Sequence, residues 1–421
     1  MKYSLLFFLF LLLFKFHTNA QCNGRYLQDV FDSVTVIRDI EFGRSVTSDG
    51  DTLILKMDVY MPYGDVENNR PLIIWAHGGS FTGGDKNTPE VTIPCIAMTK
   101  RGYVTASVNY RVESNLLALL NAESMIKAVM RAVQDFKAAI RFFRKDAFLN
   151  GNTFGIDTTE IILGGDSAGG IIALHTIYLD DTAELEVQFR KYIPELGGIE
   201  GNSGNTGYSS QGLAVVQVSG ALRDVKYMNN NKNIPVFSCH NELDLTVPYG
   251  TFYPYFIPSL PMVQGSQVIS DQARRLGIYH DLYTVSGLGH VPYRDDNTGS
   301  PVHPVIDSMI NKMSRFLYKI LDCNPDHIIL KTNTITFQNA LTIFPNPARD
   351  LIQIEYKSNA TSNSIKTIQI YTIYGEMVIE QNFFSGTFNE IHVDNLQKGM
   401  YILNVVDDSD NIVDTKKIIR Q

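Results

Sequence analysis

Eight short apolar stretches, most of them separated by helical patterns, constrain the fold of this 421-residue chain more than any other feature. The stretches are rich in β-branched residues and predict strands. They cover residues 34–42, 52–61, 71–76, 104–110, 160–164, 214–219, 235–240 and 280–285. The first two flank Ser48-Asp49-Gly50, which predicts a hairpin. Later ones flank helical patterns such as 122–145, so we expect a mostly parallel sheet with helices on both faces.

The N-terminus has the pattern of an export signal. Lys2 precedes an apolar run over residues 5–14, which is too short to span a bilayer core of about 30 Å. Small residues follow at 18–20, so we predict a secretory signal peptide over residues 1–20, cleaved after Ala20. The alternative is a core helix. No later segment approaches 18 apolar residues, so we expect a secreted or surface-attached protein without a transmembrane segment in the mature chain.

Net charge limits the kinds of partner that the protein can bind, and the cysteines limit its possible disulfides. The formal net charge of −8 provides no basic excess to neutralise phosphates, so we expect no nucleic-acid partner. Export permits disulfides, and a bridge between Cys22 and Cys323 would join the ends of the larger predicted domain. Four cysteines allow three connectivities, and Cys95 and Cys239 fit two free buried thiols at least as well as a bridge.

The carboxyl ends of parallel strands are where such sheets place their ligand sites, and one of these ends contains a candidate nucleophile. The stretch 160–164 runs into Gly165-Asp166-Ser167-Ala168-Gly169-Gly170 and then a helical segment. This is G-x-S-x-G at a strand-to-helix turn, the nucleophile elbow, with glycines where strand and helix approach closely. We predict Ser167 as the nucleophile. The alternative is a glycine-rich turn in a nonenzymatic α/β fold.

A second strand end, after residues 71–76, is followed by His77-Gly78-Gly79-Ser80-Phe81. A glycine-rich turn at this place can direct backbone N–H groups into the site. Acyl transfer develops a negative oxygen that such fixed donors stabilise. For His77 itself we expect a role in bracing the loop rather than in proton transfer.

The last two strand ends supply an acid and a base. Serine needs a base, and the base needs an acceptor that fixes its tautomer. Asp244 follows the stretch 235–240, and His290 follows 280–285, which completes the order Ser167, Asp244, His290. The alternatives are Glu242 or Asp224 as the acid and His303 as the base. We expect no cofactor and no metal ion.

Several motifs together resemble the α/β-hydrolase fold, specifically the carboxylesterase and hormone-sensitive-lipase-like group. They are HGGSF at 77–81, SVNYR at 107–111, FGID followed by GDSAGG at 154–170, D-x-x-VPY at 244–249 and GH at 289–290. The resemblance covers roughly residues 30–320 and implies an eight-stranded sheet and ester hydrolysis over a catalytic domain at 21–323. It also implies that the oxyanion donors are the backbone N–H groups of Gly79, Ser80 and Ala168. Ser80 and Asn241 depart from the glycines that many relatives have.

The C-terminal residues 341–421 form a second unit after a linker at 324–340. Short alternating runs with turns at 346–347, 374–375 and 398–399 predict a small β-sandwich. The strings FPNPARDLIQI, IYTIYGEMV and LQKGMYILNV resemble the C-terminal sorting domain of the type IX secretion system of Bacteroidetes. This implies that the secretion machinery is a partner, and that the tail is removed or attached to the cell surface. The alternative is a carbohydrate-binding sandwich.

The sequence thus predicts a secreted serine carboxylic-ester hydrolase, acting through an acyl-enzyme on a small-molecule or polysaccharide-linked ester such as an acetyl or feruloyl ester. A prolyl-oligopeptidase-like exopeptidase and a noncatalytic binding module are the alternatives. Residues 194–212, rich in Gly, Ser and Asn, predict a mobile loop over the site. The aromatic residues Phe252, Tyr253, Tyr255 and Phe256 either line the substrate pocket or pack against the sheet.

Overall fold

The computed structural model describes residues 22, 24–115, 117, 120–229, 233–295, 298–322, 324, 341–356, 365–382, 389–407 and 412–421. The predicted signal peptide at 1–20, Cys323 and all of the predicted linker except residue 324 lie outside the described residues. Within the described part, no helix is both long and apolar enough to cross a membrane.

The larger part of the chain alternates strands and helices. Its strands are β1 (Val34–Val46), β2 (Thr52–Pro62), β3 (Arg70–Ala76), β4 (Val104–Val108), β5 (Ile156–Asp166), β6 (Ala214–Val218), β7 (Ala221–Leu222), β8 (Val236–Leu243), β9 (Thr251–Phe252), β10 (Val263–Gly265) and β11 (His280–Leu288). Its helices are α1 (Pro89–Lys100), α2 (Ala122–Leu149), α3 (Ala168–Tyr178), α4 (Val187–Arg190), α5 (Ser266–Leu276) and α6 (His303–Tyr318).

Eight of these strands form one twisted sheet in the order β1-β2-β4-β3-β5-β6-β8-β11. The first three strands in this order pair antiparallel, and the other neighbours pair parallel. Strands β3, β4 and β6 are buried at every residue, as expected for parallel strands that are covered on both faces. The eight stretches predicted from the sequence correspond to these eight strands, and the predicted hairpin is the β1–β2 pair.

Helices cover both faces of the sheet. Residues of α2, α3 and α5 share one apolar core with one face, and residues of α1 and α6 share a second core with the other. Both cores draw on β3 and on other central strands, because successive side chains of a strand point to opposite faces. The carboxyl ends of β3, β5, β8 and β11 therefore meet along one edge, and the loops after these strands form the candidate site.

The segment 194–212, predicted as a mobile loop over the site, contacts α2 and β1. Its backbone pairs with β1 through the Arg44 N–H, which donates to the Ser203 carbonyl at 2.8 Å. The Lys137 ammonium on α2 lies 2.5 Å from a Glu200 carboxylate oxygen, and the Arg141 guanidinium lies 3.1 Å from the other. These contacts connect the segment to α2 and β1, whereas its mobility and its place over the site stay predictions.

The C-terminal unit consists of two antiparallel sheets. One has the order β12 (Leu341–Phe344), β13 (Leu351–Tyr356), β16 (Asn389–His392), and the other has the order β15 (Met377–Asn382), β14 (Ile365–Thr372), β17 (Gly399–Asp407), β18 (Ile412–Arg420). Ile352 and Ile354 from the first sheet share a core with Ile368 and Leu403 from the second. The predicted β-rich C-terminal unit is confirmed. Its separate core supports the domain boundaries 21–323 and 341–421, which stay a proposal.

The cysteines divide into two kinds. Cys22 is disulfide-bonded, whereas Cys95 and Cys239 are free and buried. Burial raises the pKa of the Cys95 thiol to about 12, so this thiol is unreactive at neutral pH. The free state of Cys95 and Cys239 agrees with one of the two predicted options. The pairing of Cys22 with Cys323 stays a prediction, because Cys323 lies outside the described residues.

Candidate functional site

Ser167 lies in a sharp turn between the end of β5 and the start of α3. Its backbone φ of 52° is in the left-handed region, which costs a non-glycine residue energy and is typical of functional turns. The glycines around it are required by close packing. A Cβ at Gly165 would lie 2.3 Å from the Gly169 carbonyl, and a Cβ at Gly169 would lie 2.0 Å from the Ala76 carbonyl oxygen.

The structure brings Ser167, His290 and Asp244 together. The His290 Nε2 lies 2.7 Å from the Ser167 Oγ, and its Nδ1 lies 2.7 Å from the Asp244 Oδ2. The three residues follow β5, β11 and β8, so distant parts of the chain meet at one edge of the sheet. The backbone of His290 is held in addition by the Ser219 hydroxyl, which donates to the His290 carbonyl.

The alternative acids and base lie elsewhere. Glu242 is exposed, and its carboxylate accepts the Gly287 N–H. Asp224 accepts the Lys226 N–H and caps a short 3₁₀ turn. His303 is exposed at the first residue of α6. Of the candidate acids and bases predicted from the sequence, Asp244 and His290 are the two that contact each other, and His290 contacts Ser167.

Asp244 is buried and accepts four N–H groups. Its Oδ1 accepts the backbone N–H groups of Thr246 at 2.8 Å and Val247 at 3.0 Å. Its Oδ2 lies next to His290 and also 3.1 Å from the Nε2 of His240. Burial alone would raise the pKa of Asp244, but the hydrogen bonds from His240 and His290 hold it below its usual value. Asp244 is therefore a carboxylate across the neutral range.

The loop after β3 lies directly against the Ser167 turn. A Cβ at Gly78 would lie 3.2 Å from the Ser167 Cβ. The backbone φ angles of Gly79, Ser80 and Phe81 are 118°, 57° and 63°, so three successive residues are left-handed. Among the described residues, the N–H groups of Gly79, Ser80 and Ala168 have no acceptor. Unpaired donors next to the serine suit an incoming negative oxygen.

Residues of the SVNYR motif contact this loop and hold it in place. The Tyr110 hydroxyl donates to the His77 carbonyl at 2.8 Å, and its ring stacks on the His77 ring at a centroid distance of 4.2 Å. Asn109 Oδ1 accepts the Lys86 N–H at 2.7 Å and thereby holds the far side of the loop. Burial lowers the pKa of His77, so it stays neutral. These contacts give His77 a bracing position, as expected.

Asp166, the residue before the serine, was not predicted as part of the site. Its carboxyl group accepts the Trp75 Nε1–H at 3.3 Å and the Gly78 N–H at 3.2 Å. Burial raises its pKa to about 7. Asp166 therefore links the elbow to the glycine loop. In the sequence it is only the variable position of G-x-S-x-G, which gave no reason to select it.

The aromatic side chains of the segment 252–256 are exposed. Phe252 is 43% exposed, Tyr255 41% and Phe256 54%. The Tyr255 hydroxyl shares a hydrogen bond with the Ser80 hydroxyl, which places this segment next to the glycine loop. These rings are therefore not packed into the core. Among the described residues, no group of three or more His, Cys, Asp or Glu side chains is arranged to hold a metal ion.

The sheet order, the strand-to-helix elbow and the loops at the carboxyl ends define an α/β-hydrolase fold, which confirms the fold predicted from the sequence. Residues 57–202 match the sequence model of the BD-FAE family, and residues 342–421 match that of the secretion system C-terminal sorting domain. Both predicted resemblances, to esterase-type α/β-hydrolases and to a type IX sorting domain, are confirmed. The second match also confirms the predicted export to the cell surface or beyond it.

The chain is also similar to individual proteins. It is 31% identical over 103 residues to secreted lipase 5 of Gibberella zeae, a match that covers 24% of this chain and 18% of the lipase. The structure of Thermogutta terrifontis esterase 2 phosphorylated by paraoxon has a TM-score of 0.47 and 20% identity, and covers 69% of this chain and 95% of its own. The propionate-bound form of that esterase has a TM-score of 0.46 and 19% identity, over 66% of this chain and 93% of its own.

Proposed function

We propose that the protein is an exported serine carboxylic-ester hydrolase with Ser167 as nucleophile, His290 as general base and acid, and Asp244 as the acceptor that orients His290. The observation that carries the proposal is the continuous pair of 2.7 Å hydrogen bonds through the two nitrogens of His290. The His290 Nδ1 donates to a carboxylate, which leaves Nε2 free of hydrogen and able to accept a proton from the serine.

The reaction has two halves. In the first, His290 takes the Ser167 proton as Oγ attacks the ester carbonyl carbon, and the carbonyl oxygen becomes negative. The N–H groups of Gly79, Ser80 and Ala168 stabilise this oxygen. His290 then protonates the leaving alkoxide, and the alcohol departs from the acyl-enzyme. In the second half, His290 deprotonates water, the hydroxide attacks the acyl carbonyl, and Ser167 recovers its proton as the acid leaves.

Replacing the nucleophile tests the proposal directly. Ser167→Ala removes the attacking oxygen, so we expect turnover of p-nitrophenyl acetate and butyrate to fall by at least about 10³-fold. A fluorophosphonate probe should label the wild-type chain and leave the variant unlabelled. Ser286→Ala, an exposed serine of β11, is the matched control and should keep full activity and labelling. Unchanged turnover in Ser167→Ala would refute the proposal.

For the substrate we propose an ester with a planar acyl group, of the feruloyl type, ahead of a simple acetyl ester. The exposed Tyr255 ring next to the glycine loop supports this choice, and the exposed Phe252 ring belongs to the same aromatic segment and packs on Phe256. An aromatic acyl group could stack on these rings. A stacked pair of rings contributes about 0.5–1.5 kcal/mol beyond its buried area. This preference is therefore expected to be modest.

Comparing two esters with two variants tests the substrate class. Phe252→Ala should lower kcat/KM for methyl ferulate by roughly 3- to 10-fold and leave p-nitrophenyl acetate nearly unchanged, because only the former stacks. Tyr63→Ala removes an exposed ring elsewhere, on a 70% exposed residue after β2, and serves as control. Equal losses on both esters would contradict the stacking role. Faster cleavage of dipeptide anilides than of either ester would favour the exopeptidase alternative.

A further inference from the structure

Asp244 contacts a second histidine that the proposed mechanism does not use. His240 is fully buried near the end of β8, four residues before Asp244. Its Nε2 faces two oxygens, the Asp244 Oδ2 at 3.1 Å and the Val247 carbonyl at 3.0 Å. A nitrogen that faces only acceptors must be the one that bears hydrogen. His240 therefore donates to the same carboxylate oxygen that accepts from His290.

The other nitrogen of His240 lies at one end of a series of buried hydrogen bonds that runs through Ser266 and Gln217 to the Gly220 backbone. The Gly220 backbone N–H donates to Gln217 Oε1 at 2.7 Å, which turns the amide NH₂ group toward Ser266. Gln217 Nε2 then donates to the Ser266 hydroxyl at 2.8 Å. The Ser266 hydroxyl lies 2.7 Å from His240 Nδ1 and connects this ring nitrogen to Gln217. These bonds hold the His240 ring with its Nε2 directed at Asp244.

On the basis of the proposed function, we propose that His240 is a positioning residue that sets the orientation and the acceptor strength of Asp244 toward His290. The hydrogen-bond series from Gly220 through Gln217 and Ser266 holds the His240 ring, and the His240 Nε2–H is the donor to Asp244. Its ionisable neighbours are few: Asp244 faces His240 directly, the Tyr249 ring meets it edge-on at a centroid distance of 5.6 Å, and His290 lies across Asp244. The segment 217–220, which contains Gln217 and Gly220, also holds the His290 backbone through Ser219.

Sharing the carboxylate has a consequence for His290. A carboxylate oxygen that accepts a second N–H attracts the His290 Nδ1–H less strongly. Without the His240 donor, Asp244 would hold the charged imidazole of His290 more tightly, and the base would stay protonated to higher pH. Because kcat/KM needs the neutral base, the acid limb of its pH profile would move to higher pH. The Asp244 side chain would also lose one of the four donors that fix its direction.

The test compares a variant that removes the donor with one that replaces it. His240→Leu should lower kcat/KM for p-nitrophenyl acetate by roughly tenfold or more and move the acid limb to higher pH, because a hydrogen bond to a charged group is lost. His240→Gln places an amide N–H near the former Nε2 position and should restore most of both. His175→Leu is the control, because His175 is a second buried histidine that takes no part in this hydrogen-bond series. This variant should keep the wild-type pH profile.

Proton NMR of the full-length chain gives a readout that needs no catalysis. The low-field region should contain hydrogen-bonded imidazole N–H resonances from both His240 and His290. His240→Leu should lose one and shift the other, and Ser266→Ala should shift both by a smaller amount without a large change in fold. A His290 resonance and an acid limb that are unchanged in both variants would overturn the proposal. Activity that persists in Ser167→Ala would overturn the proposed function instead, whatever the NMR result.

Discussion

Asp166 illustrates how one buried side chain couples the nucleophile turn to the loop that faces it. It is the residue next to Ser167, and it accepts N–H groups from Trp75 and Gly78. Its pKa of about 7 lies well above the usual value of 3.8 because burial disfavours the charged form. A carboxyl group whose pKa is raised on folding binds more protons in the folded chain. Stability therefore falls as pH rises from about 4 to about 7.

Asp166→Asn removes this titration while keeping an acceptor for Gly78. We expect the free energy of unfolding of the variant, relative to wild type, to increase with pH between about 4 and 7, by at most about 1.4 kcal/mol per pH unit. Urea denaturation at several pH values measures the difference. Asp51→Asn, an exposed carboxylate in the β1–β2 turn, should show no such trend. A constant difference between Asp166→Asn and wild type over this window would contradict the raised pKa.

At the residue scale, the sequence predicted the three side chains that the structure brings together, but it did not predict the buried residues that contact them. Ser167, Asp244 and His290 follow predicted strands, and their types match a known order along the chain. His240 and Asp166 were missed because their function depends on what they contact. His240 did offer one clue, since it is a histidine at a strand end four residues before the predicted acid.

At the scale of elements, the segment 194–212 depends on helix α2 for its position. Glu200 provides the link, through Lys137, Arg141 and the Ser210 hydroxyl at 2.7 Å. Burial would raise the pKa of Glu200, but Lys137 and Arg141 outweigh it and lower the pKa to about 2. Both cationic side chains are only 2% exposed, so they need a counter-charge. Although its carboxylate faces the two buried cations, the Glu200 side chain is 59% exposed, so solvent screening limits what the pairs contribute.

Glu200→Gln leaves two buried cations without their carboxylate, so we expect a lower melting temperature than wild type at pH 7. The difference should shrink as pH falls from about 4.5 toward 2, because the wild-type carboxylate then becomes neutral as well. Thermal melts monitored by circular dichroism across this range measure it. Glu195→Gln, on the same segment but half-exposed, is the matched control. A melting difference that does not change with pH would contradict the charge-pair explanation.

Strand positions were predictable because each depends on a local run of residues with high β propensity. Strand ends were less predictable than strand positions. Strand β1 continues to Val46, beyond the predicted end at 42, and β5 begins at Ile156, before the predicted start at 160. These extensions follow pairing with neighbours that the local sequence does not specify. The contacts of the segment 194–212 were not predicted for the same reason, since its charge partners lie about 60 residues away on α2.

At the scale of the whole molecule, the C-terminal unit touches the larger one through the segment 194–212. The Thr206 hydroxyl donates to the Gly375 carbonyl at 2.9 Å, and the Asn404 amide donates to the Gly207 carbonyl at 2.6 Å. The Tyr371 ring lies over Gly207, where a Cβ would meet it at 3.2 Å. Each such hydrogen bond contributes only about 1 kcal/mol. None of these contacts involves the site around Ser167.

A chain that ends at residue 323 should therefore retain its activity. We expect kcat/KM for p-nitrophenyl acetate to stay within about twofold of the full-length value, and the melting temperature to change by no more than a few degrees, because few contacts are lost. Full-length Asn404→Ala is the control for loss of one of these contacts. A large loss of activity on truncation would show that the C-terminal unit supports the catalytic unit.

The strand order also determines when activity arises as the chain folds. Ser167 and His290 are 123 positions apart, and Asp244 and His290 are 46 apart. Contacts of such long range form late, because loop-closure entropy must be overcome before they yield any stabilisation. Under the proposed function, hydrolysis requires that β11 has docked at the edge of the sheet. A chain in which β11 has not yet docked therefore lacks the contacts of His290 with Ser167 and Asp244.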